Sequence, residues 1–267
     1  MDIAVNRTKA RLKQGKVAFG LQVRFVDTIA IARAAATSGY HYLFIDLEHS
    51  TMDVDTVSQI CIASLDAGVT PTVRIPEGDF HMASRLLDGG AQGIVVPHVN
   101  TAEDAANAVR HCLFPPTGKR SYGGTPVQLG WKSIPVKQAT ELLNDNLQIT
   151  VTIESVEAVD NIDAIAAVSG VDAIAVGSND LLLDMGLPGQ FDHPRLWESY
   201  TRIIAAGNRN GVAVRLGGSF DPAFLKRTVE AGARMVSVSS DLRFLLEIMR
   251  SRVADISSAL PAELVAA

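Results

Sequence analysis

The sequence contains little of what defines several specialised classes of protein. It has two cysteines among 267 residues, Cys61 and Cys112, without the paired spacing of a zinc site or the number needed for a disulfide framework. No apolar run approaches the roughly 20 residues that cross a membrane, and residues 1–16 lack the apolar stretch of a secretory signal. We therefore expect a soluble cytoplasmic protein whose cysteines are small core residues in a reducing compartment.

Basic residues are also too few to dominate the surface. Lys and Arg number 24 against 29 Asp and Glu, a formal charge of -5, which argues against a protein that coats nucleic-acid phosphates. The chain is 47% apolar and 20% charged, a balance that excludes fibrous and largely disordered proteins. The length permits one large domain or two small ones.

Short β-branched runs alternate with helical patterns along the whole chain, without a linker between two domains. Each run is almost continuously apolar, as in strands of a parallel sheet covered on both faces. The predicted strands are 17–23, 42–48, 70–75, 93–99, 148–154, 173–177, 212–217 and 235–240.

Helical patterns fill the intervals between these strands, and eight β-α units with short connections favour a single α/β domain, a closed (β/α)8 or TIM barrel, over a doubly wound sheet. Predicted helices include 27–38, 53–67, 102–112, 155–168 and 241–257, with Asp53, Asp79 and Asp221 at helix starts and Gly68, Gly170 and Gly232 at helix ends.

One connection, 114–134, is much longer than the others and rich in Pro and Gly. A loop of that length is usually functional or mobile, and a simple surface insertion is the alternative. A further helix is predicted at 135–145.

In such a barrel, polar side chains at the carboxyl ends of the strands form the active site. Glu154 and Asp180 follow neighbouring strands and would together suit Mg²⁺ or Mn²⁺, which prefer oxygen ligands. The alternative is that each carboxylate only stabilises the start of a helix.

Three further side chains at strand ends have candidate roles. His49 suits a general base, the usual catalytic role of a histidine. Arg74 requires an anionic partner, which is either a substrate carboxylate or enolate, or a protein carboxylate such as Asp46 or Glu48. We expect His98 to be peripheral.

The turn Gly177-Ser178-Asn179-Asp180 presents successive backbone amides after a strand, a suitable cradle for a carboxylate or phosphate. Gly217-Gly218 has a similar position, but such glycines also serve tight turns.

Six strings follow one another along the chain: FIDLEHS (44–50), TVRIP (72–76), GAQGIVVPHV (90–99), FPPTGKRSYGG (114–124), TIESVEAVDNIDAIAAVSGVDAIAVGSNDL (152–181) and DMG (184–186). Taken in order, they closely resemble the 4-hydroxy-2-oxoheptanedioate aldolase family of class II pyruvate aldolases, with 2-dehydro-3-deoxyglucarate aldolase as a near relative. The resemblance covers nearly the whole chain and implies a (β/α)8 barrel, a divalent cation (Mg²⁺, Mn²⁺ or Co²⁺) and cleavage of a 4-hydroxy-2-oxo acid to pyruvate and an aldehyde.

The resemblance also implies roles for individual residues. Glu154 and Asp180 match the metal ligands, His49 the catalytic histidine, and Arg74 the arginine that steadies the pyruvate enolate. Asp88 matches the aspartate that partners this histidine, a role that rests on the resemblance alone.

The substrate pocket departs from the family pattern in two places. Thr152 stands where the family commonly has a glutamine that contacts substrate, and Ser178 and Asn179 stand in a turn that is usually Gly-Pro-Ala-Asp. The backbone amides of Asn179 and Asp180 match those that hold the pyruvate carboxylate.

We therefore expect a metal-dependent aldolase acting on small oxo acids and aldehydes in the catabolism of aromatic or sugar acids. The alternatives are a thioester lyase of the citrate-lyase β-subunit kind, a phosphoenolpyruvate-processing lyase and a noncatalytic oxo-acid binding protein. The family forms hexamers, and here residues 241–267 would supply a terminal helix and apolar tail that pack on a neighbouring subunit.

Overall fold

The computed structural model describes residues 4–261 and Leu264 and contains one closed barrel of eight parallel strands. Each strand pairs with the next, and β1 also pairs with β8, which closes the barrel. The strands are β1 (Ala18–Val23), β2 (Tyr42–Asp46), β3 (Thr70–Arg74), β4 (Gly93–Val96), β5 (Gln148–Ile153), β6 (Ala173–Val176), β7 (Ala213–Leu216) and β8 (Met235–Ser240).

Helices surround the barrel and bury the outward-facing side chains of the strands in one large apolar core. In chain order they are α1 (Arg7–Lys13), α2 (Ala30–Thr37), α3 (Val54–Ala67), α4 (Phe80–Asp88), α5 (Ala102–Cys112), α6 (Val136–Asn146), α7 (Val156–Asp160), α8 (Ile162–Ala166), α9 (Ser178–Asp184), α10 (Pro194–Asn210), α11 (Pro222–Glu230) and α12 (Asp241–Ala259).

Inward-facing side chains form a separate cluster inside the barrel, which includes Tyr42, Phe44 and Met235. A Cβ atom at position 20 would overlap the Tyr42 ring, so Gly20 is what allows this aromatic side chain to fill the barrel. The interior is therefore packed below the level of the rim, as in other (β/α)8 barrels.

Helix α1 lies against the amino-terminal ends of the strands. Asn6, which begins the helix and is buried, donates from Nδ2 to the carbonyl oxygens of Gln92 (3.1 Å) and Asn146 (2.9 Å). The Thr8 hydroxyl donates to the His41 carbonyl oxygen at 3.0 Å, and Lys9 Nζ lies 2.8 Å from Asp172 Oδ1. These contacts attach the helix to four parts of the barrel floor and leave the opposite rim open.

The prediction of eight strands in a closed barrel is confirmed, with strand ends that differ by up to three residues. Asp53, Asp79 and Asp221 accept main-chain hydrogen bonds at the starts of α3, α4 and α11, as predicted. Among the predicted helix ends, Gly68 follows α3 directly with φ 77°, a conformation that suits glycine. Gly170 and Gly232 lie in the turns that follow α8 and α11.

Two local predictions need correction. The predicted helix 155–168 consists of two short helices, α7 and α8, which meet at Asn161. The segment 114–134 is packed rather than free, because Phe114 and Leu129 are buried with Ala139 and Leu143 of α6, and Gln128 Nε2 donates to the carbonyl oxygen of Ala91 at 3.0 Å. The apolar residues within the loop give it a small core of its own.

Cys61 and Cys112 are free and buried, as expected for core residues, and burial raises the pKa of Cys112 to about 12. Over residues 4–261 and Leu264, no helix combines the length and the apolar character that a membrane crossing requires.

Candidate active site

A cavity of about 260 Å³ opens at the carboxyl ends of the strands. Its walls come from the ends of seven strands, since parallel strands of a barrel direct these ends to one rim. The charged residues and the histidine that line it are Arg24, Asp46, His49, Arg74, Glu154, Asp180 and Arg215.

Asp46 organises one side of this cavity. Its carboxylate is buried and accepts from Arg74 twice, at 3.0 Å from Nε and 2.7 Å from Nη2, and from the backbone amides of Glu48 and His49. Burial alone would raise the pKa of Asp46, but the Arg74 hydrogen bonds and charge outweigh burial and hold the pKa below its ordinary value. Asp46 is therefore a carboxylate that fixes both Arg74 and the turn that carries His49.

Arg74 is paired with protein carboxylates, which is one of the two kinds of anionic partner predicted for it. Besides Asp46, it contacts Glu48, with Nη1 at 2.8 Å from Oε2. These contacts use three of its five N–H donors, and the guanidinium still lines the cavity. Arg74 is therefore held in place by two carboxylates while part of it faces the space where a ligand binds.

His98 connects two acids across the rim. Its ring lies 3.3 Å from Glu48 Oε1 through Nε2 and 3.2 Å from Glu154 Oε2 through Nδ1, and its backbone amide donates to Glu154 Oε2 at 2.9 Å. The His98 backbone has φ 53°, a left-handed conformation that directs both amide and ring to the same carboxylate. His98 thus contacts two site carboxylates from outside the residues that line the cavity.

Glu154 is nearly buried at the end of β5. Burial raises its pKa, opposed by the His98 amide and ring and by the charge of Arg74. A Cβ atom at position 177 would overlap Glu154 Oε1, so Gly177 is what leaves room for this carboxylate at the rim. Asp180, in the first turn of α9, lines the same cavity.

His49 lies at the edge of the cavity, where its side chain is about half exposed. Its Nε2 lies 3.8 Å from Glu48 Oε2, and its carbonyl oxygen accepts from Arg24 Nη2 at 3.1 Å. The ring therefore has access to both solvent and ligand.

The start of α9 forms another wall. The backbone amides of Ser178, Asn179 and Asp180 are in the first turn, where helix geometry provides no acceptor, and none of the described residues accepts from them. The Ser178 hydroxyl is used within the protein: it donates to the Gly217 carbonyl oxygen at 2.8 Å and accepts from Tyr200 at 2.7 Å. Ser178 therefore offers its amide to a ligand and not its hydroxyl.

Thr152 faces the cavity from below Glu154. Its side chain is buried, and its hydroxyl oxygen has no hydrogen-bond partner among the described residues. A buried hydroxyl of this kind is available to a ligand.

Asp88 is the one predicted site residue that this chain does not bring to the cavity. It ends α4, and a helix that follows a strand returns to the amino-terminal end of the barrel, so Asp88 lies at the opposite end from His49. Its carboxylate is half exposed and lies 2.6 Å from Nη2 of the buried Arg120 in the segment 114–134. Within one chain Asp88 contacts Arg120 and not His49.

Sequence reasoning missed the importance of Asp46, Glu48 and Arg215. The sequence shows both acids at the end of a predicted strand and predicts them as partners of Arg74. The structure places Asp46 against Arg74 and Glu48 against His98, and these contacts depend on tertiary structure. Arg215 is not among the predicted site residues. Its position in an otherwise apolar strand was the available signal.

The closed (β/α)8 barrel and the rim cavity lined by carboxylates, arginines and a histidine define the class of protein, a barrel enzyme. Residues 26–247 match the family described as HpcH/HpaI aldolase/citrate lyase, and the chain belongs to this family. The resemblance read from the motifs is confirmed at the level of family and fold.

Similar proteins are carbon-carbon lyases of the aldolase type. The chain is 38% identical over 218 residues to a 4-hydroxy-4-methyl-2-oxoglutarate aldolase of Chaetomium globosum, covering 81% of each chain. It is 31% identical over 264 residues to a hydroxypyruvate/pyruvate aldolase of Paraburkholderia phytofirmans, covering 97% of this chain and all of the other. Among solved structures, the HpcH/HpaI aldolase of Desulfitobacterium hafniense has a TM-score of 0.90 at 35% identity and covers 95% of this chain and 97% of its own.

Proposed function

We propose that this chain is a divalent-metal-dependent aldolase that cleaves a 4-hydroxy-2-oxo acid to pyruvate and an aldehyde. The observation that carries the proposal is that Arg74, Glu154, Asp180 and His49 line a single cavity of a chain that belongs to an aldolase family. Curated relatives named as aldolases favour this activity over the thioester lyase and the binding protein.

The residues at the rim fit a divalent cation. Glu154 and Asp180 supply two carboxylates to one cavity, and one or two carboxylates with water and substrate oxygens are a usual set for Mg²⁺. The space that Gly177 leaves beside Glu154 Oε1 supports this assignment. When bound, a cation at Glu154 and Asp180 supplies Lewis acid stabilisation of the negative charge that develops on the substrate.

The remaining residues bind the substrate carboxylate, stabilise the oxyanion and remove the proton. The free amides of Asn179 and Asp180 hold the carboxylate of the oxo acid. His49 removes the proton from the C4 hydroxyl, the C3–C4 bond breaks, the aldehyde leaves, and the electron pair passes to the C2 oxygen to give the enolate of pyruvate. Arg74, held by Asp46 and Glu48, presents positive charge to that oxygen before the reaction begins. Protonation of the enolate at C3 completes pyruvate.

The partner of His49 comes from a second copy of the chain in this proposal. Asp88 is at the far end of its own barrel, so it can meet a His49 ring only across an interface. Its carboxylate is half exposed and fixed by the buried Arg120, which suits a group presented to another subunit.

Helix α12 supports a homo-oligomer, for which the family suggests a hexamer. It exposes the large apolar side chains of Leu242, Phe244, Ile248, Met249 and Val253, and clusters of exposed apolar residues mark interaction surfaces. We propose that a second copy of the chain covers this surface. Residues 262–263 and 265–267 of the predicted tail lie outside the described residues. A cytoplasmic location remains part of the proposal.

The activity is tested by pyruvate release from a panel of 4-hydroxy-2-oxo acids, coupled to lactate dehydrogenase, with Mg²⁺, Mn²⁺ or Co²⁺ and then with EDTA. We expect release that chelation abolishes and added cation restores. Glu154→Gln keeps the shape of the side chain and is expected to lower kcat/KM at least a hundredfold, about 2.7 kcal/mol of transition-state stabilisation. Release that survives both EDTA and this substitution would contradict the proposal.

A further inference from the structure

Arg215 occupies the floor of the rim cavity. It lies on β7 in register with Ala175 of β6, which is in register with Thr152 of β5, so the three side chains point into the barrel side by side. Arg215 is only 6% exposed and yet lines the cavity. Because Ala175 is small, it leaves space between the guanidinium and the Thr152 hydroxyl.

Arg215 differs from the buried Arg120 and the largely buried Arg74 in having no carboxylate partner among the described residues. Arg74 is paired with Asp46 and Glu48, and Arg120 with Asp88. The described contacts of the Arg215 guanidinium are a hydrogen bond from Nη1 to Ser237 Oγ at 2.9 Å and the Phe44 ring, 4.4 Å from Cζ. A buried charge that lacks a counter-charge lowers the stability of a fold, so its retention calls for another reason.

The charges around the cavity indicate the sign of the charge that a ligand at Arg215 must carry. The lining residues include three arginines, Arg24, Arg74 and Arg215, and three carboxylates, Asp46, Glu154 and Asp180. Asp46 and Glu48, the latter beside the cavity, balance Arg24 and Arg74, and Glu154 and Asp180 are matched by the proposed cation. Arg215 is left with a positive charge that only an anion entering the cavity can balance.

Thr152 supplies a second donor to the same space. Its buried hydroxyl is unpartnered among the described residues. Thr152 on β5 is separated from Arg215 on β7 by Ala175 on β6 alone. An arginine fork beside a hydroxyl matches the planar, two-oxygen acceptor of a carboxylate.

We propose that Arg215, assisted by Thr152, binds a carboxylate of the oxo-acid substrate at the floor of the cavity. The inference rests on the proposed function for the identity of the ligand, and it makes Arg215 a determinant of substrate binding. The carboxylate is either that of the pyruvyl unit or the distal one of a dicarboxylic oxo acid, since both present the same chemistry to the guanidinium.

The test compares binding of three oxo acids that lack a 4-hydroxyl group and so cannot undergo the cleavage: pyruvate, 2-oxopentanoate and 2-oxoglutarate. Dissociation constants are measured by calorimetry with Mg²⁺ present for the wild type and for Arg215→Met. We expect a loss of affinity of about 10- to 100-fold, the usual range for hydrogen bonds to a charged group. Weakening of all three acids assigns the pyruvyl carboxylate, and weakening of 2-oxoglutarate alone assigns the distal carboxylate.

Arg234→Met is the matched control. Arg234 lies directly before β8, at the other end of the barrel, where it donates to the carbonyl oxygens of Val229 and Ala233. This variant removes the same charge without touching the cavity and is expected to leave all three affinities unchanged. Arg215→Lys keeps the charge but not the fork, and is expected to fall between wild type and Arg215→Met.

Thermal unfolding distinguishes binding from a structural role. Replacing an unpaired buried charge with an apolar side chain of similar length is expected to leave the unfolding midpoint of Arg215→Met unchanged or higher. Unchanged affinities, or a variant that fails to fold, would overturn the inference. Because binding is measured without turnover, a wild type that binds these acids through Arg215 but cleaves nothing would refute the proposed activity and leave this inference intact.

Discussion

The buried side chain of Asp46 fixes the positions of Arg74 and of the turn that precedes His49. Its two oxygens accept from Arg74, from two backbone amides of the following turn and, at 3.3 Å, face Arg24 Nε. Five contacts fix the position of the arginine and of the turn before His49, so neither has to reorganise when substrate binds. Electrostatic preorganisation of this kind is the main source of catalysis in many enzymes.

Asp46→Asn is expected to lower the free energy of unfolding by about 3 kcal/mol, because it leaves a buried arginine short of its counter-charge. The pKa of Asp46 in the folded protein lies below its unfolded value of about 3.9. The unfolded state therefore binds more protons in this range, and the contribution of Asp46 is complete above the unfolded pKa and lost as pH falls through the folded one.

Urea unfolding of wild type and Asp46→Asn from pH 7 to pH 3 checks this prediction. The difference between the two free energies of unfolding should be constant above about pH 5 and should shrink at lower pH. A difference that stays constant to pH 3 would show that the charge of Asp46 does not contribute.

The strand-end positions of His49, Arg74, Glu154 and Asp180 could be predicted from the sequence because parallel strands direct their carboxyl ends to one rim. The contacts of His98 could not be predicted, since they depend on its left-handed backbone, which nothing in the local sequence requires. The family motif gives the spacing of Asp88 but not which end of the barrel it occupies, which follows instead from its place at the end of α4.

Helix α1 is the element that closes the barrel floor. The Asn6 side chain accepts from Lys9 N at 2.8 Å, as a helix cap does, and it also donates to carbonyl oxygens before β4 and β5. A single polar side chain thus joins three segments that are far apart in the sequence. None of these residues lines the rim cavity.

Asn6→Ala is expected to lower the free energy of unfolding by about 2–3 kcal/mol, because the buried Gln92 and part-buried Asn146 carbonyl oxygens each lose a hydrogen bond and the helix loses its cap. Catalytic activity should be unchanged at temperatures well below unfolding. Asp53→Ala provides the comparison. Among the described residues, the exposed Asp53 side chain accepts one hydrogen bond, from the backbone amide of Thr56 at the start of α3, and its loss should lower the free energy of unfolding by about 1 kcal/mol. Equal effects of the two substitutions, measured by urea unfolding, would contradict this account of α1.

At the level of elements, strands and capped helices were predictable because their signals are local: β-branched apolar runs, Asp before a helix, Gly after it. The segment 114–134 was not, since its order depends on contacts of Phe114 and Leu129 with α6. Those contacts have no periodic signature in the sequence.

At the scale of the whole molecule, two features of the single chain support the proposed homo-oligomer. Helix α12 exposes large apolar side chains, and the aspartate expected to partner His49 is at the other end of its own barrel. We propose one arrangement that accounts for both, a symmetric oligomer in which each copy contributes to the active site of another.

Mixed oligomers test this arrangement. His49→Asn and Asp88→Asn are each expected to be nearly inactive, and co-refolding them in equal amounts should restore about a quarter of wild-type activity, because random assembly gives that fraction of sites both native residues. His49→Asn mixed with Glu154→Gln is the control, because both residues line one cavity of the same chain and no assembly can restore both. If the first mixture remains as inactive as the second, Asp88 does not act across an interface.

The central claim is that the rim cavity generates the enolate of pyruvate, and the exchange of pyruvate C3 protons in D₂O tests it without knowledge of the aldehyde. Proton NMR should show the methyl signal disappearing in the presence of enzyme and Mg²⁺ or Mn²⁺, with exchange abolished by EDTA or by Glu154→Gln. A folded wild-type enzyme that fails to exchange these protons with any of the cations, or exchanges them equally well after chelation, would contradict the claim.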